Sequence, residues 1–459
     1  MKILHPCATL AVSAISAISL TASIRAESAA PAAARAEKPN IILCMTDDQG
    51  WGDVSYNGLK AIKTPNLDAM AAAGLRFDRF YSAHPSCSPT RASVMTGRHP
   101  NRSGVFWPGM PLRLQEMTLA QAVKTVGYRT AHFGKWHLSG GKSGIGRPLP
   151  ASDPLHPGHF GFDEWFSVSN YFETDWTFSR NGEPVKVSGD GSDAIVVEAL
   201  KFIEKNAAQD TPFFACIWFG SPHIPLKPTA EDLIAAGGSP YYGEIFGVDR
   251  SMGTLRAGLR KLGIAENTML WFNSDNGAWR DPKAAPDTNG SNGVLRGGKG
   301  QLWEGGIRVP GLIEWPAHIK QPADTSVPVV TSDVYPTLVD LLKIKLPNQI
   351  LPLDGISLLP LIDGQMKERP QPIGFWDHSG PAAWTDNRYK LYKLPGDKYE
   401  LYDLSTDISE KAEIAAGHPE IVARMKAELE TWQQSVLRSN RGEDYPEKKV
   451  LEPAIPETK

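Results

Sequence analysis

Cysteine is scarce, with four in 459 residues. Cys7 falls in an N-terminal stretch that reads as an export signal, which leaves an odd three and excludes a disulfide framework. No Cys/His spacing suggests structural zinc. Charge of one sign is also missing: 48 Lys and Arg stand against 51 Asp and Glu, for a formal net charge of −3. That balance gives no electrostatic footprint for nucleic acid. Beyond the N-terminus no apolar run is long enough for a membrane span, and no internal repeat is evident. What is present is a hydrophobic fraction of 41% over a length that buries a sizeable core, one large domain plus a smaller one.

Met1-Lys2 is a short basic start, and Ala8 to Leu20 is apolar but too short to cross a bilayer. Small residues follow, with cleavage placed after Ala22 or Ala26, so residues 1–26 read as a signal peptide and 27–38 as an Ala/Pro-rich spacer. The expectation is an exported protein, periplasmic or extracellular.

From Pro39 to about Trp315, short apolar runs alternate with amphipathic helical patterns, which predicts an α/β fold with a large central sheet flanked by helices. Strands are expected at 40–45, 129–133, 212–219 and 268–273, and helices at 64–74, 119–126, 193–205 and 242–261. Thr64 is the expected N-cap of the first helix. Beyond about Ile350 the pattern changes to short antiparallel strands at 374–380, 383–392 and 400–404, then one amphipathic helix at 421–437. The expected division is a main domain over 39–350, a small α+β subdomain over 351–441 and a charged tail over 442–459.

A common grammar links the apolar runs of the main domain. Each ends in a polar cluster: Asp47-Asp48, then Lys135 and His137, then His223, then Asp275-Asn276. In open α/β sheets ligands bind outside the carboxyl ends of the strands, so the clusters are expected to converge. Asp47, Asp48, Asp275 and Asn276 are an oxygen-only set suited to a hard cation such as Ca²⁺ or Mg²⁺. Lys135 and His137 lie two apart, and in an extended chain both point the same way. His223 sits between prolines, and Lys299 lies in the Gly-rich run Leu295-Arg-Gly-Gly-Lys-Gly300, where backbone can approach a ligand.

Cys44 and Cys216 lie in apolar strand-like runs and read as small buried hydrophobes. Cys87 differs. It sits in Pro85-Ser-Cys-Ser-Pro-Thr-Arg91, before a helical run ending at Thr96-Gly97-Arg98. Pro89 suits the first turn, where no amide hydrogen is needed. A cysteine just ahead of that helix faces the positive end of its dipole, with Arg91 one turn on.

Cys87-x-Pro89-x-Arg91, taken with Asp47-Asp48, Gly134-Lys-Trp-His137, His223, Asp275-Asn276-Gly277 and Lys299 in order, resembles the sulfatase family. The resemblance extends over most of the chain, to Glu400-Leu-Tyr-Asp-Leu404. Gly161-Phe-Asp-Glu-Trp-Phe166 is similar to the branch that includes arylsulfatase A and N-acetylgalactosamine-6-sulfatase. Thr90 stands where many members carry serine or alanine. The resemblance implies an alkaline-phosphatase-like mixed sheet and hydrolysis of a sulfate ester, of a sulfated carbohydrate by preference. It also implies one Ca²⁺ held by Asp47, Asp48, Asp275 and Asn276 beside Cys87. A maturation enzyme is expected to convert Cys87 to formylglycine, whose hydrated aldehyde is the nucleophile. Arg91, Lys135 and His137 would position and activate the hydrate, and His223 and Lys299 would grip sulfate and assist the leaving group. Rival readings are a phosphate or phosphonate monoester hydrolase of the same superfamily and an inactive carbohydrate-binding relative. Trp107, Trp165, Tyr171, Trp176, Trp279 and His378 are candidate rim residues for a sugar.

Overall fold

The computed structural model describes residues 38–140 and 144–451; the expected signal peptide and almost all of the spacer lie outside the described residues. A ten-stranded mixed sheet forms the centre. Four neighbouring strands, Thr268–Ser274, Asn40–Thr46, Phe213–Trp218 and Arg129–Lys135, run parallel in that spatial order. Glu164–Val168 continues the parallel run on one side, and Gly311–Glu314 joins antiparallel on the other.

These strands are buried on both faces, which is why they read as unbroken apolar runs rather than alternating ones. Along the first, Ile41, Leu43 and Met45 enter one core layer while Ile42 and Cys44 enter the other. Phe214, Cys216 and Trp218 against Phe213, Ala215 and Ile217 repeat the same division. One layer is closed by the helices Cys87–Thr96, Leu119–Lys124 and Val334–Leu341, through residues such as Met95, Val123 and Leu338. Pro65–Ala71, Gly191–Ala208 and Pro240–Lys261 close the other, through Leu67, Ile195 and Met252. Thr64 precedes the first of these as expected, but its side chain makes no capping bond and instead accepts from Ser55 N at 2.9 Å.

The C-terminal subdomain is a four-stranded antiparallel sheet, Ile373–Trp376, Ala382–Thr385, Tyr389–Lys393 and Tyr399–Asp403, covered by the helix Pro419–Asn440. The run 383–392, expected as one strand, is a hairpin. Asp386 accepts from Arg388 N and Tyr389 N and folds the chain back on itself. Packing does not change at residue 350: Leu358 and Leu361 still belong to the main core layer, and the new sheet begins at Ile373. The expected tail is also tied down over its described part. Tyr445 is fully buried with its hydroxyl 2.7 Å from Glu116, and Asp444 pairs with Arg98 at 2.7 Å. Lys390, fully buried between Glu304 (3.1 Å) and Glu410 (2.8 Å), joins the small sheet to the main body.

Candidate active site

The parallel order of the central strands puts their carboxyl ends on one edge. Asp47 and Asp48 follow the first strand, Asp275 and Asn276 follow Thr268–Ser274, and Lys135 closes Arg129–Lys135. Cys87 is the first residue of its helix, after Ser86 as N-cap, and Arg91 lies one turn further in. Oxygens of Asp47 and Asp275 and the sulfur of Cys87 lie within 4.8 Å of one another.

A network of buried ion pairs fixes this cluster. Lys135 Nζ is 2.5 Å from Asp47 Oδ2, and Arg91 Nη2 is 2.7 Å from Asp275 Oδ2 and 3.8 Å from Asp47 Oδ2, all fully buried. Arg91 also donates to the Lys135 carbonyl at 3.0 Å. Lys299 Nζ reaches Asp48 at 2.7 Å, Asn276 Nδ2 donates to Asp48 Oδ1 at 2.8 Å, and His223 Nε2 lies 3.8 Å from Asp48 Oδ2. Every residue singled out in the sequence for this cluster stands in it.

Two backbone conformations here are unusual. Asp48 and His137 adopt φ of 65° and 56°, the left-handed region that non-glycine residues rarely enter and that clusters at functional sites. At His137 this corrects the extended-chain expectation: the backbone turns between Lys135 and His137. Both are nonetheless buried at the site, where the Lys135 charge acts on the imidazole.

Burial raises the Asp47 carboxyl, yet Lys135, His223, Arg91 and Lys299 together hold it below its ordinary range. Burial, then the Asp47 charge, push Asp275 up to about 7 against the opposing charges of Arg91 and Lys135. Burial, reinforced by the Lys135 and Arg91 charges, keeps His137 neutral, and neither of its ring nitrogens has a hydrogen-bond partner. Burial also lowers His223. Burial raises the Cys87 thiol; Lys135 and Lys299 favour the thiolate, and Asp47 and Asp275 oppose it. Burial thus outweighs the helix dipole and the nearby cations at the genetically encoded thiol, which fits the expectation that the thiol itself is not the nucleophile.

Asp47 Oδ1 and Asn276 Oδ1 are buried acceptors without a donor. Buried polar atoms are almost always satisfied, so two orphaned oxygens beside the raised carboxyl of Asp275 suit a hard cation.

Asp53 and Tyr241 were not legible as site residues. Asp53, fully buried, accepts from Gly50 N (2.9 Å), Ser291 N (2.8 Å) and the Tyr241 hydroxyl (2.7 Å), which also lies 3.2 Å from the Asp48 carbonyl. This ties the Asp47–Asp48 loop to the segment leading to Lys299. No local signal in either stretch announces it, because the partners are far apart in sequence. Thr90 donates to the His84 carbonyl at 2.9 Å, a bond that a serine hydroxyl would also make.

The rim candidates separate. Trp107 is 52% exposed beside His378, and its loop is held against the Cys87 helix by Gly109 N donating to Ser88 Oγ at 2.8 Å. Tyr171 stacks on His223 with centroids 5.1 Å apart. Trp279 is half-buried. Trp165 is buried against His156, and Trp176 is half-buried against the helical core layer, so these two are packing residues rather than rim.

The family described as Sulfatase matches residues 39–344, and that described as N-sulphoglucosamine sulphohydrolase, C-terminal, matches 298–435. N-acetylgalactosamine-6-sulfatase of Mus musculus is 34% identical over 395 residues, covering 79% of this chain and 73% of its own. Arylsulfatase A of Homo sapiens is 32% identical over 80% of this chain and 75% of its own. The ulvan-active sulfatase of Formosa agariphila is 32% identical over 71% and 65%. Among solved structures, Ps i-CgsB in complex with k-i-k-neocarrahexaose superposes with a TM-score of 0.77 at 30% identity, covering 86% of this chain and 92% of that one.

Proposed function

The chain belongs to the sulfatase family and is a sulfuric ester hydrolase, and from that premise we propose that it cleaves a sulfate ester of a carbohydrate using formylglycine derived from Cys87. The observation that carries this reading is the meeting of Cys87 with Asp47 and Asp275 beside two unsatisfied acceptors and a neutral imidazole. Carbohydrate is favoured because the relatives' names include N-acetylgalactosamine-6-sulfatase and ulvan-active sulfatase, and one similar structure holds a neocarrahexaose.

Asp47, Asp48, Asp275 and Asn276 would hold one Ca²⁺. When bound it supplies positive charge that stabilises sulfate oxygens and a hydroxyl nucleophile. A maturation enzyme would convert the Cys87 thiol to an aldehyde, and the hydrate of that aldehyde supplies two hydroxyls on one carbon. The other residues follow from their placement. Arg91 and Lys135 orient the first turn of the Cys87 helix against the carboxylates. His137, neutral with both ring nitrogens free, accepts a proton from a hydroxyl at position 87. Lys299 and His223, both next to Asp48, would grip the sulfate, and one of them would protonate the leaving alkoxide.

The phosphonate monoester hydrolase of Agrobacterium radiobacter, at 20% identity, shares the fold alone and lends no weight to the phosphoester reading. We further propose export directed by residues 1–26, with 27–38 as a spacer. Mass spectrometry of the peptide containing Cys87, together with sulfate release from a panel of sulfated sugars, tests the reading. An active enzyme carrying an intact thiol would refute it.

A further inference from the structure

On the far side of the Lys299 loop lies a cleft of about 450 Å³ that the chemistry above does not use. Lys299 belongs to both places: its Nζ bonds Asp48 at the site, and the residue also lines the cleft. The remaining wall carries the side chains of Arg280, Asp281, Asn289 and Gln301. Arg280 is exposed, and among the described residues its guanidinium makes no hydrogen bond or ion pair, its charge acting only at longer range on the buried Asp53 carboxyl. Its surroundings are built rather than loose. Asn289 Oδ1 accepts from Asp281 N at 2.7 Å and its Nδ2 donates to the Asp281 carbonyl at 3.1 Å. Lys299 N donates to the Ala278 carbonyl at 3.0 Å, and Gln301 Oε1 accepts from Gly298 N at 3.2 Å.

We propose that this cleft is a second anion subsite, in which Arg280 binds a carboxylate or second sulfate of the same glycan whose ester is cleaved beside Lys299. The proposal rests on the sulfate-ester reading of the neighbouring site. A guanidinium is the planar donor suited to either anion, and one left unpaired beside an occupied lysine has its donors available. Asp281 and Gln301 add the carboxylate acceptor and the amide that sugar hydroxyls require, and Asn289 braces the backbone of Asp281 beside them. The inferred substrate is therefore a saccharide carrying at least two negative groups, with the scissile sulfate at Asp48–Lys299 and the other toward Arg280.

The test compares wild type, Arg280→Gln and Arg280→Lys on four kinds of substrate. These are 4-methylumbelliferyl sulfate, a monosulfated neutral oligosaccharide, a monosulfated oligosaccharide bearing a uronate, and a disulfated one. Losing one charge-assisted contact should raise KM about tenfold on whichever doubly charged saccharide uses the cleft, with kcat little changed. Arg280→Lys should recover part of that loss, and added salt should shrink the difference between wild type and Arg280→Gln. The uronate and disulfated arms identify which anion is bound. Equal KM changes on neutral and doubly charged saccharides, or no change on any, would overturn the subsite. Wild type shown by mass spectrometry to carry the aldehyde at position 87 and yet inactive on all four would instead overturn the sulfate-ester reading, and binding of the same saccharides to Cys87→Ala, with and without Arg280→Gln, then decides the cleft separately.

Discussion

Lys135 Nζ lies 2.5 Å from Asp47 Oδ2, with both side chains sealed from solvent. Such a pair is costly to break, because removing one partner strands a buried charge. Lys135→Met keeps the aliphatic stem and should lower unfolding free energy by about 3 kcal/mol, the lower end of the usual range, since Arg91 at 3.8 Å remains as a partial counter-ion. Urea denaturation checks this. A loss below about 1 kcal/mol would mean that the pair is not the clamp its burial implies.

Cys87 is 2% exposed and its substitution by alanine removes one small buried atom. Cys87→Ala should therefore unfold within about 1–2 kcal/mol of wild type while releasing no sulfate. Circular dichroism melts and sulfate release measured side by side give the answer, and retained turnover would sink the nucleophile assignment.

Cation binding is expected to be visible without any turnover. In Cys87→Ala, stripping with EGTA should lower Tm, and Ca²⁺ at about a hundredfold excess over Kd should restore about 3 kcal/mol of stability. Asp47→Asn should lose most of that response. A melting temperature indifferent to Ca²⁺ would remove the ion from the site.

Glu244 offers a pH prediction away from the cation ligands. It accepts from Ser221 Oγ at 2.5 Å and Lys227 N at 2.7 Å, so it pins both ends of the His223 loop. Burial, then the Asp190 and Asp232 charges, push its carboxyl up to about 7 against the bonds that favour ionisation. The folded state thus holds a proton that the unfolded chain releases near its ordinary value. This contribution favours folding at low pH and is lost as pH rises from about 4.5 to about 7, by up to roughly 3 kcal/mol. Glu244→Gln should flatten that part of the stability profile. An unchanged slope would place the titration elsewhere.

Much of the architecture was legible because fully buried parallel strands must be written as unbroken apolar runs. The polar pairs that end them, from Asp47-Asp48 to Asp275-Asn276, mark the common edge of the sheet. The hairpin at Asp386 was hidden because the strands on either side of it are equally rich in aromatic and β-forming residues, and its turn is set by one side chain accepting two amides. Asp53 and Tyr241 gave no signal, since each acts through partners brought near only by the folded sheet. At His137 the geometric ground given in the sequence, an extended chain from Lys135, is not honoured by the positive φ.

The depth of Cys87 also fixes an order of events during synthesis. A side chain 2% exposed at the first turn of a packed helix cannot be reached by another enzyme's active site. The conversion proposed for Cys87 would then have to precede closure of the body, while the chain is still extended. Two contacts that hold the body closed, Lys390 on Glu304 and Tyr445 on Glu116, each bring in a residue about 300 or more positions after Cys87, made well after it. Late arrival of the C-terminal sheet would thus keep a window open for the proposed modification. Expression that folds the chain faster than it is modified would yield a stable, correctly folded and inert protein.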